Sequence, residues 1–234
     1  MDSGCRKDKL EVDLRNKLKK FLKNLPDKPG ILGRVKYHET AVLIPLLWEN
    51  GELYIILEKR ASHIRQGDEI SFPGGHFSKT EDSNTQETAI RETSEELGIA
   101  KNTIEVLGQL DSLVSPIGSI IDVFIGELQL EEHNPIVPNL SEVQSILKIP
   151  LSFFLENDPE IYKVKLEIKP YHYNKNGDKI TTFPTQKLQI PSRYHKPWGG
   201  KLQNIYVYKF QGEIIWGITA EILYEMIKIW IQEN

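Results

Sequence analysis

The spacing of apolar residues changes along this chain, and the changes mark out its elements. Leu10, Leu14, Leu18, Phe21, Leu22 and Leu25 recur at helical intervals among lysines and arginines, which predicts an amphipathic helix ending before Pro26. That helix is expected to pack on the domain rather than on a membrane. Pro26 to Gly33 reads as a linker, so residues 1–34 form an N-terminal addition to a domain spanning 35–234. From Thr40 the pattern turns strand-like. Thr40 to Trp48 and Glu52 to Lys59 are apolar strands joined across Asn50-Gly51, the strongest short hairpin signal in the chain. Pro45 has no N–H to give a ladder and is expected at a sheet edge or bulge. Further strands are predicted at Ile70 to Phe72, Ile104 to Leu110, Ile120 to Leu130, Glu142 to Ile149 and Ile205 to Phe210, with a helical turn at Leu151 to Leu155. Lys163 to Lys169 alternates polar and apolar strictly, as a half-buried strand does, and Asn176-Gly177 marks a second hairpin. Thr219 is placed to cap a last helix carrying Ile222, Leu223, Met226, Ile227 and Trp230 toward the core. The implied fold class is α+β, with helices layered on a mixed sheet.

The stretch from Gly75 to Ile99 is where chemistry concentrates. It reads as a helix starting near Asn84 or Thr85, with Ser83 and Gln86 spaced as a capping box and Gly98 as the C-terminal stop. At 100° per residue, Glu92, Glu95 and Glu96 fall within about a 100° arc, away from Ile90 and Leu97, which should face the core. Three carboxylates on one arc repel one another unless a hard divalent cation turns the cost into a gain, and oxygen ligands suit Mg²⁺ or Mn²⁺. Arg91 stands i,i+4 from Glu95 and can hold it. A run of glutamates on a helix is usually a solvated face. Here Phe72-Pro73-Gly74-Gly75 precedes it, so backbone able to approach a ligand closely leads into the acidic face.

Composition adds bounds. With 234 residues, 39% hydrophobic and 26% charged, the chain is an ordinary globular one with room for one well-buried domain and additions. A net charge of -4 gives no reason to expect nucleic acid as a partner. The charged start MDSGCRKDK is followed by no apolar segment and no long apolar run occurs later, so neither a signal peptide nor a membrane partner is expected. Cys5 is the single cysteine, which excludes an internal disulfide, fits a reducing compartment and makes the cytoplasm the expected location. A homodimer is compatible with the chain, though nothing in it requires one.

The acidic segment resembles the signature of the Nudix hydrolases, G-x5-E-x7-R-E-U-x-E-E-x-G-U with U aliphatic. Gly75 and Glu81 match its first part and Arg91 to Ile99 its second, with Thr93 in place of an aliphatic residue and nine residues, not seven, between Glu81 and Arg91. The resemblance implies a Nudix-like mixed β-sheet flanked by helices in an α/β/α sandwich, with the N-terminal helix added to it. It also implies a diphosphatase whose catalytic residues are Arg91, Glu92, Glu95 and Glu96. Metal would be held by Glu92, Glu95 and Glu96, with the Gly75 carbonyl as a further ligand. The base stays open among the three glutamates and Glu142.

Upstream, Arg60, Ala61, Arg65 and Phe72-Pro73-Gly74-Gly75 are similar to the extra motif of the coenzyme A diphosphatase branch, L-L-T-x-R-[SA]-x3-R-x3-G-x3-F-P-G-G. Glu58 stands where that motif has threonine, and the segment from Arg60 to Phe72 is one residue short. Leu113 to Gly118, Glu142-Val143 running to Leu151, and Ile215 to Ala220 extend the similarity over most of residues 40–232. This second resemblance implies a small-molecule nucleotide substrate, coenzyme A or acyl-CoA, split into 4′-phosphopantetheine or its acyl form and adenosine 3′,5′-bisphosphate. Arg60, Arg65 and Gly74 would bind it. The alternatives are hydrolysis of another nucleoside diphosphate derivative (ADP-ribose, NADH or a dinucleoside polyphosphate) and a Nudix module that senses a nucleotide without cleaving it. Arg193, His195 and Lys196 read as a polar turn, and Cys5 carries no assigned role.

Overall fold

The computed structural model describes residues 14–26, 30–130 and 135–233; Cys5, Leu10 and part of the Pro26 to Gly33 linker lie outside them. The chain divides between Tyr37 and His38 into two compact units. In the first, residues 14–23 form a helix, α1, that stops before Pro26, and Arg34–Lys36 makes one 3-10 turn. Leu14, Leu18, Phe21, Leu22 and Leu25 recur along α1 at the predicted helical spacing.

The second unit is built on a mixed sheet of β1 (His38–Glu49), β2 (Glu52–Arg60), β3 (Ile70–Ser71), β4 (Gly74–His76), β5 (Ile104–Gln109), β6 (Leu113–Val114), β7 (Ser119–Leu128) and β8 (Val143–Pro150). The central order is β3-β2-β1-β7-β5, with β8 on β2, β4 on β1 and β6 on β7. Only the β1–β7 pair of this sheet is parallel. The β1–β2 hairpin closes at Asn50 and Gly51, both at positive φ, as an Asn-Gly two-residue turn requires.

Pro45 is not at an edge. It lies mid-sheet in β1, opposite Gly126 of β7. On its other side the β4 pairing ends at Val42 and the β2 pairing begins at Leu46. The N–H of Leu43 points to that side, donating to the Pro73 carbonyl, so two residues on the missing N–H of Pro45 faces the gap where β1 changes partner. No ladder bond is lost there.

Strand alternation sends Ala41, Leu43 and Ile56 to one face of the sheet, where Ala89 and Leu97 of α2 (Thr85–Leu97) close over them with Phe124 and Leu128. Ile44, Ile55, Leu57 and Val123 point to the other face, against Ile222, Leu223, Met226 and Ile227 of α4 (Gly217–Glu233). The result is the α/β/α sandwich. The short helix α3 (Leu151–Glu156) adds Phe154, whose ring meets Tyr208 edge-on. Two expectations for α4 fail. Thr219 lies inside the helix, where its buried hydroxyl donates to the Ile70 carbonyl and ties α4 to β3, and Trp230 is 41% exposed.

A second sheet, β13-β12-β9, comprises β9 (Glu160–Ile168), β12 (Trp198–Phe210) and β13 (Glu213–Trp216). β12 starts seven residues before the predicted Ile205, because the chain keeps pairing with β9 through a bulge between Gly199 and Leu202. β9 does alternate, yet every residue of it is exposed rather than half-buried. It is the outer strand of its sheet, and periodicity specifies two faces without saying that a layer covers either. β10 (Tyr171–Tyr173) and β11 (Lys179–Thr181) form the second hairpin around Gly177.

Candidate active site

α2 starts one residue later in its capping logic than Ser83 and Gln86 imply. The cap is Asn84, whose side chain accepts the Glu87 N–H at 3.0 Å, and Glu87 reaches back to accept the Ser83 N–H at 2.8 Å. The first bond is that of a capping box shifted by one position, while the returning bond from Glu87 goes to the residue before the cap. At the far end Gly98 takes φ 63°, where a side chain would be strained, and donates to the Ser94 carbonyl. Thr85 also donates to Asp122 of β7 at 2.8 Å, which fixes the helix start on the sheet.

The helix therefore lies with Glu92 and Glu96 against β4. Glu96 is 3% exposed and accepts the Gly74 N–H at 2.8 Å. A Cβ at Gly75 would overlap the Glu92 carboxyl group, and one at Gly74 would overlap the Ala41 carbonyl. Neither position has room for a side chain, so the glycine pair is what lets strand and carboxylates meet. Glu95 points outward, 53% exposed, with Arg91 Nη1 at 3.4 Å. The predicted arc of three is thus split by burial into an inner pair and an outer member. Thr93, in the slot of an aliphatic residue, is buried and returns its hydroxyl to the Ala89 carbonyl at 2.7 Å.

Two residues of this site escaped the sequence reading. The first is Asp82. It takes both Nε and Nη2 of Arg91 at 2.9 Å, with the Ser78 N–H at 3.1 Å and the Thr88 hydroxyl at 2.9 Å. Arg91 in turn donates through Nη1 to Glu92 at 2.8 Å. Glu81, matched to the signature's isolated glutamate, is exposed. The buried acid that holds Arg91 is the residue after it, Asp82. The Arg91 guanidinium holds Asp82 far below the usual carboxylate range, and Asp82 raises Arg91 further.

The second is Glu58 of β2, fully buried, on the sheet face that α2 covers. Ser71 Oγ donates to its Oε1 at 3.3 Å, and its Oε2 has no hydrogen-bond partner. Arg60 Nη1 lies 3.6 Å from Glu58 Oε1 and 3.9 Å from Glu96 Oε1, and its Nε donates to the Arg65 carbonyl at 3.4 Å. Arg60 is therefore at the carboxylates, while Arg65 is exposed on the turn beyond it. Burial raises the pKa of Glu58, Glu92 and Glu96, and the charge of Glu58 raises Glu96 further. The field of Glu142, on the loop before β8, reaches both Glu58 and Glu92.

These residues fit a hard divalent cation. The donors are oxygens, three buried or half-buried carboxylates are held where charge is costly, and one oxygen is left without a donor. Among the described residues no three His, Cys, Asp or Glu side chains close into a cage. A magnesium site is typically open in this way, because waters and substrate phosphates supply most of its ligands.

A glycine-backed cluster of carboxylates on an α/β/α sandwich is a place where a divalent cation and a phosphorylated ligand can meet, and comparison with known proteins supplies the domain. Residues 36–149 match the NUDIX domain. The chain carries a NUDIX domain, which spans just under half of it, and is similar to the Nudix hydrolases, enzymes that generally use divalent cations. An uncharacterised Nudix hydrolase of Photorhabdus laumondii, NudL, is 27% identical over 217 residues, covering 92% of this chain and 96% of its own. The mouse peroxisomal coenzyme A diphosphatase NUDT7 is 33% identical over 134 residues, which are 53% of this chain and 51% of that one, so the match spans about half of the relative. Among solved structures, a Nudix hydrolase from M. smegmatis, RenU, superimposes with a TM-score of 0.42 at 18% identity over 50% of this chain and 72% of its own. Among the described residues no helix is long and apolar enough to cross a membrane.

Proposed function

We propose that this enzyme hydrolyses the diphosphate bond of coenzyme A or acyl-CoA, releasing adenosine 3′,5′-bisphosphate and 4′-phosphopantetheine or its acyl form. The observation that carries the reading is the meeting of two segments at Glu96. The segment similar to the coenzyme A diphosphatase motif brings Arg60 to 3.9 Å from Glu96 Oε1 at one end and the Gly74 N–H to 2.8 Å from Glu96 Oε2 at the other. The partial match to a relative named as a coenzyme A diphosphatase supports the same substrate class.

Glu92, Glu95 and Glu96, with the Gly75 carbonyl, would hold Mg²⁺ or Mn²⁺. When bound, the ion neutralises phosphoryl oxygens and acidifies the attacking water. The chain's own residues supply the rest. Arg60 offers a guanidinium to a phosphate beside the carboxylates, and Arg65 offers another from the exposed turn. Arg91, clamped by Asp82, keeps Glu92 oriented. One water is consumed: its oxygen ends on one phosphorus as the bridging P–O bond breaks, and its proton passes to a carboxylate of this cluster. Most of the rate in such a transfer comes from positioning and charge neutralisation, which is what a rigid, glycine-backed carboxylate site provides. The N-terminal unit, residues 1–34, is an addition outside this catalytic domain of residues 35–234.

The test is product analysis of coenzyme A incubated with the protein and Mg²⁺ or Mn²⁺, beside ADP-ribose and NADH, with Glu96→Gln as control. Adenosine 3′,5′-bisphosphate should appear and should be lost in the variant. Survival of coenzyme A while ADP-ribose or NADH is cut would overturn the substrate.

A further inference from the structure

We propose that Glu58 is a cation-binding carboxylate of this site, supplied from β2 outside the signature helix and acting together with Glu96. The inference rests on the reading of the site as one that takes a divalent cation.

Position comes first. Residues of β2 alternate between faces, and Glu58 falls on the side of Ile56, which packs under α2. It also stands in register with Ser71 of β3, just before the chain turns through Phe72 and Pro73 to the glycine pair. This places a side chain of β2 beside Glu96 although the two are far apart in sequence, and Arg60 Nη1 lies within 4 Å of both.

Its state of satisfaction comes second. Glu58 is fully buried, and Oε2 has no donor. Oε1 has a long hydrogen bond from Ser71, and Arg60 stands at 3.6 Å, beyond hydrogen-bond reach. A buried carboxylate with one empty oxygen is strongly disfavoured unless something positive joins it. Arg60 is a poor candidate for that role, since its one charge is shared between Glu58 and Glu96 and touches neither closely.

Charge balance comes third. Asp82 and Arg91 form a bidentate pair and cancel. Counted formally, Glu58, Glu92 and Glu96 against the one remaining positive charge of Arg60 leave two negative charges, with Arg91 Nη1 also reaching Glu92. A divalent cation removes that excess, and a carboxylate oxygen without a donor is a hard ligand of the kind such an ion takes. The motif that this segment resembles has threonine here, so a further carboxylate at the site is a feature of this chain's own sequence.

The experiment is Mn²⁺ titration of the full chain without substrate, by calorimetry and by the electron paramagnetic resonance signal of free Mn²⁺. Wild type is compared with Glu58→Gln, Glu58→Thr and Glu96→Gln, and thermal melts without metal check that each variant folds. Glutamine keeps the shape of the side chain and threonine removes it, so two different variants bear on one question. Loss of an outer-shell partner already weakens metal binding 10- to 100-fold, so loss of a ligand should cost about tenfold or more in both Glu58 variants. If both bind Mn²⁺ with wild-type affinity and stoichiometry while Glu96→Gln is weakened, Glu58 is not a ligand and only this inference falls. If Glu96→Gln also binds as wild type, the cation site itself is misplaced and the inference falls with it. The outcome is independent of which substrate is cleaved.

Discussion

Asp82→Asn separates the structural account of the site from the motif that led to it. Asp82 Oδ2 accepts from Arg91 Nη2, Ser78 N–H and the Thr88 hydroxyl, and Oδ1 accepts from Arg91 Nε. An asparagine carbonyl at the Oδ2 position keeps three of these bonds but sets its amide against Arg91 Nε, donor facing donor. Turned the other way it loses those from Arg91 Nη2 and the Ser78 N–H, while the Thr88 hydroxyl can accept from the amide. In either orientation the guanidinium, 13% exposed, loses its counter-ion. A hydrogen bond to a charged group is worth about 1.5–3 kcal/mol, and breaking a buried pair from one side costs about 3–5 kcal/mol. Arg91 keeps its contact with Glu92, so the lower part of that range applies, about 3–4 kcal/mol. For a domain of this size the melting temperature should fall by roughly 5–15 °C. Urea denaturation at pH 7 is the cleaner assay. The cost should shrink in acid. Because the folded carboxyl titrates below its ordinary value of 3.8, its contribution is complete above that value and is lost as pH falls through the folded pKa. Glu81→Gln, on an exposed side chain, should stay within about 0.5 kcal/mol. A destabilising Glu81→Gln beside a silent Asp82→Asn would refute the assignment and return the buried acid to the position the signature indicates.

Two further outcomes follow from the same geometry. Glu96→Gln should be inactive yet, in EDTA, more stable than wild type at pH 8 and little different at pH 4. The carboxyl is raised above its ordinary 4.5 by burial and by Glu58, so its ionisation destabilises the metal-free fold increasingly as pH rises past that value; paired urea melts at the two pH values check it, and equal stability at pH 8 would contradict the buried charge. Gly75→Ala should lower kcat by about 100-fold with a small change in melting temperature, because the added methyl displaces the movable Glu92 carboxyl rather than backbone, and misplacement by an ångström carries such a penalty; unchanged kcat would show that Glu92 does not need to lie against the strand.

Local chemistry made much of this protein legible in one dimension. The Asn50-Gly51 hairpin, the stop at Gly98, the amphipathic α2 and the run of strands follow from turn preferences and periodicities that neighbours in sequence impose on one another, and apart from β12, which starts seven residues early, they appear in the structure within a few residues. The same holds for the meeting of glycines and glutamates, since a glycine pair just before an acidic helix has little choice but to lie near it. What periodicity could not tell was which faces would be covered. β9 alternates as well as any strand here and is exposed throughout. Pro45 is harmless mid-sheet because β1 changes partner there, a fact of pairing rather than of proline. The site shows the division most sharply. Sequence determined that Glu92 and Glu96 share a helix face and that Arg91 is placed to orient a carboxylate. Only the tertiary structure decided that Asp82 rather than Glu81 holds Arg91, and that Glu58, dozens of residues upstream, joins Glu96. Which loop side chain points inward depends on how the loop packs against Arg91, and a strand brings in a carboxylate from a distance at which no local rule acts.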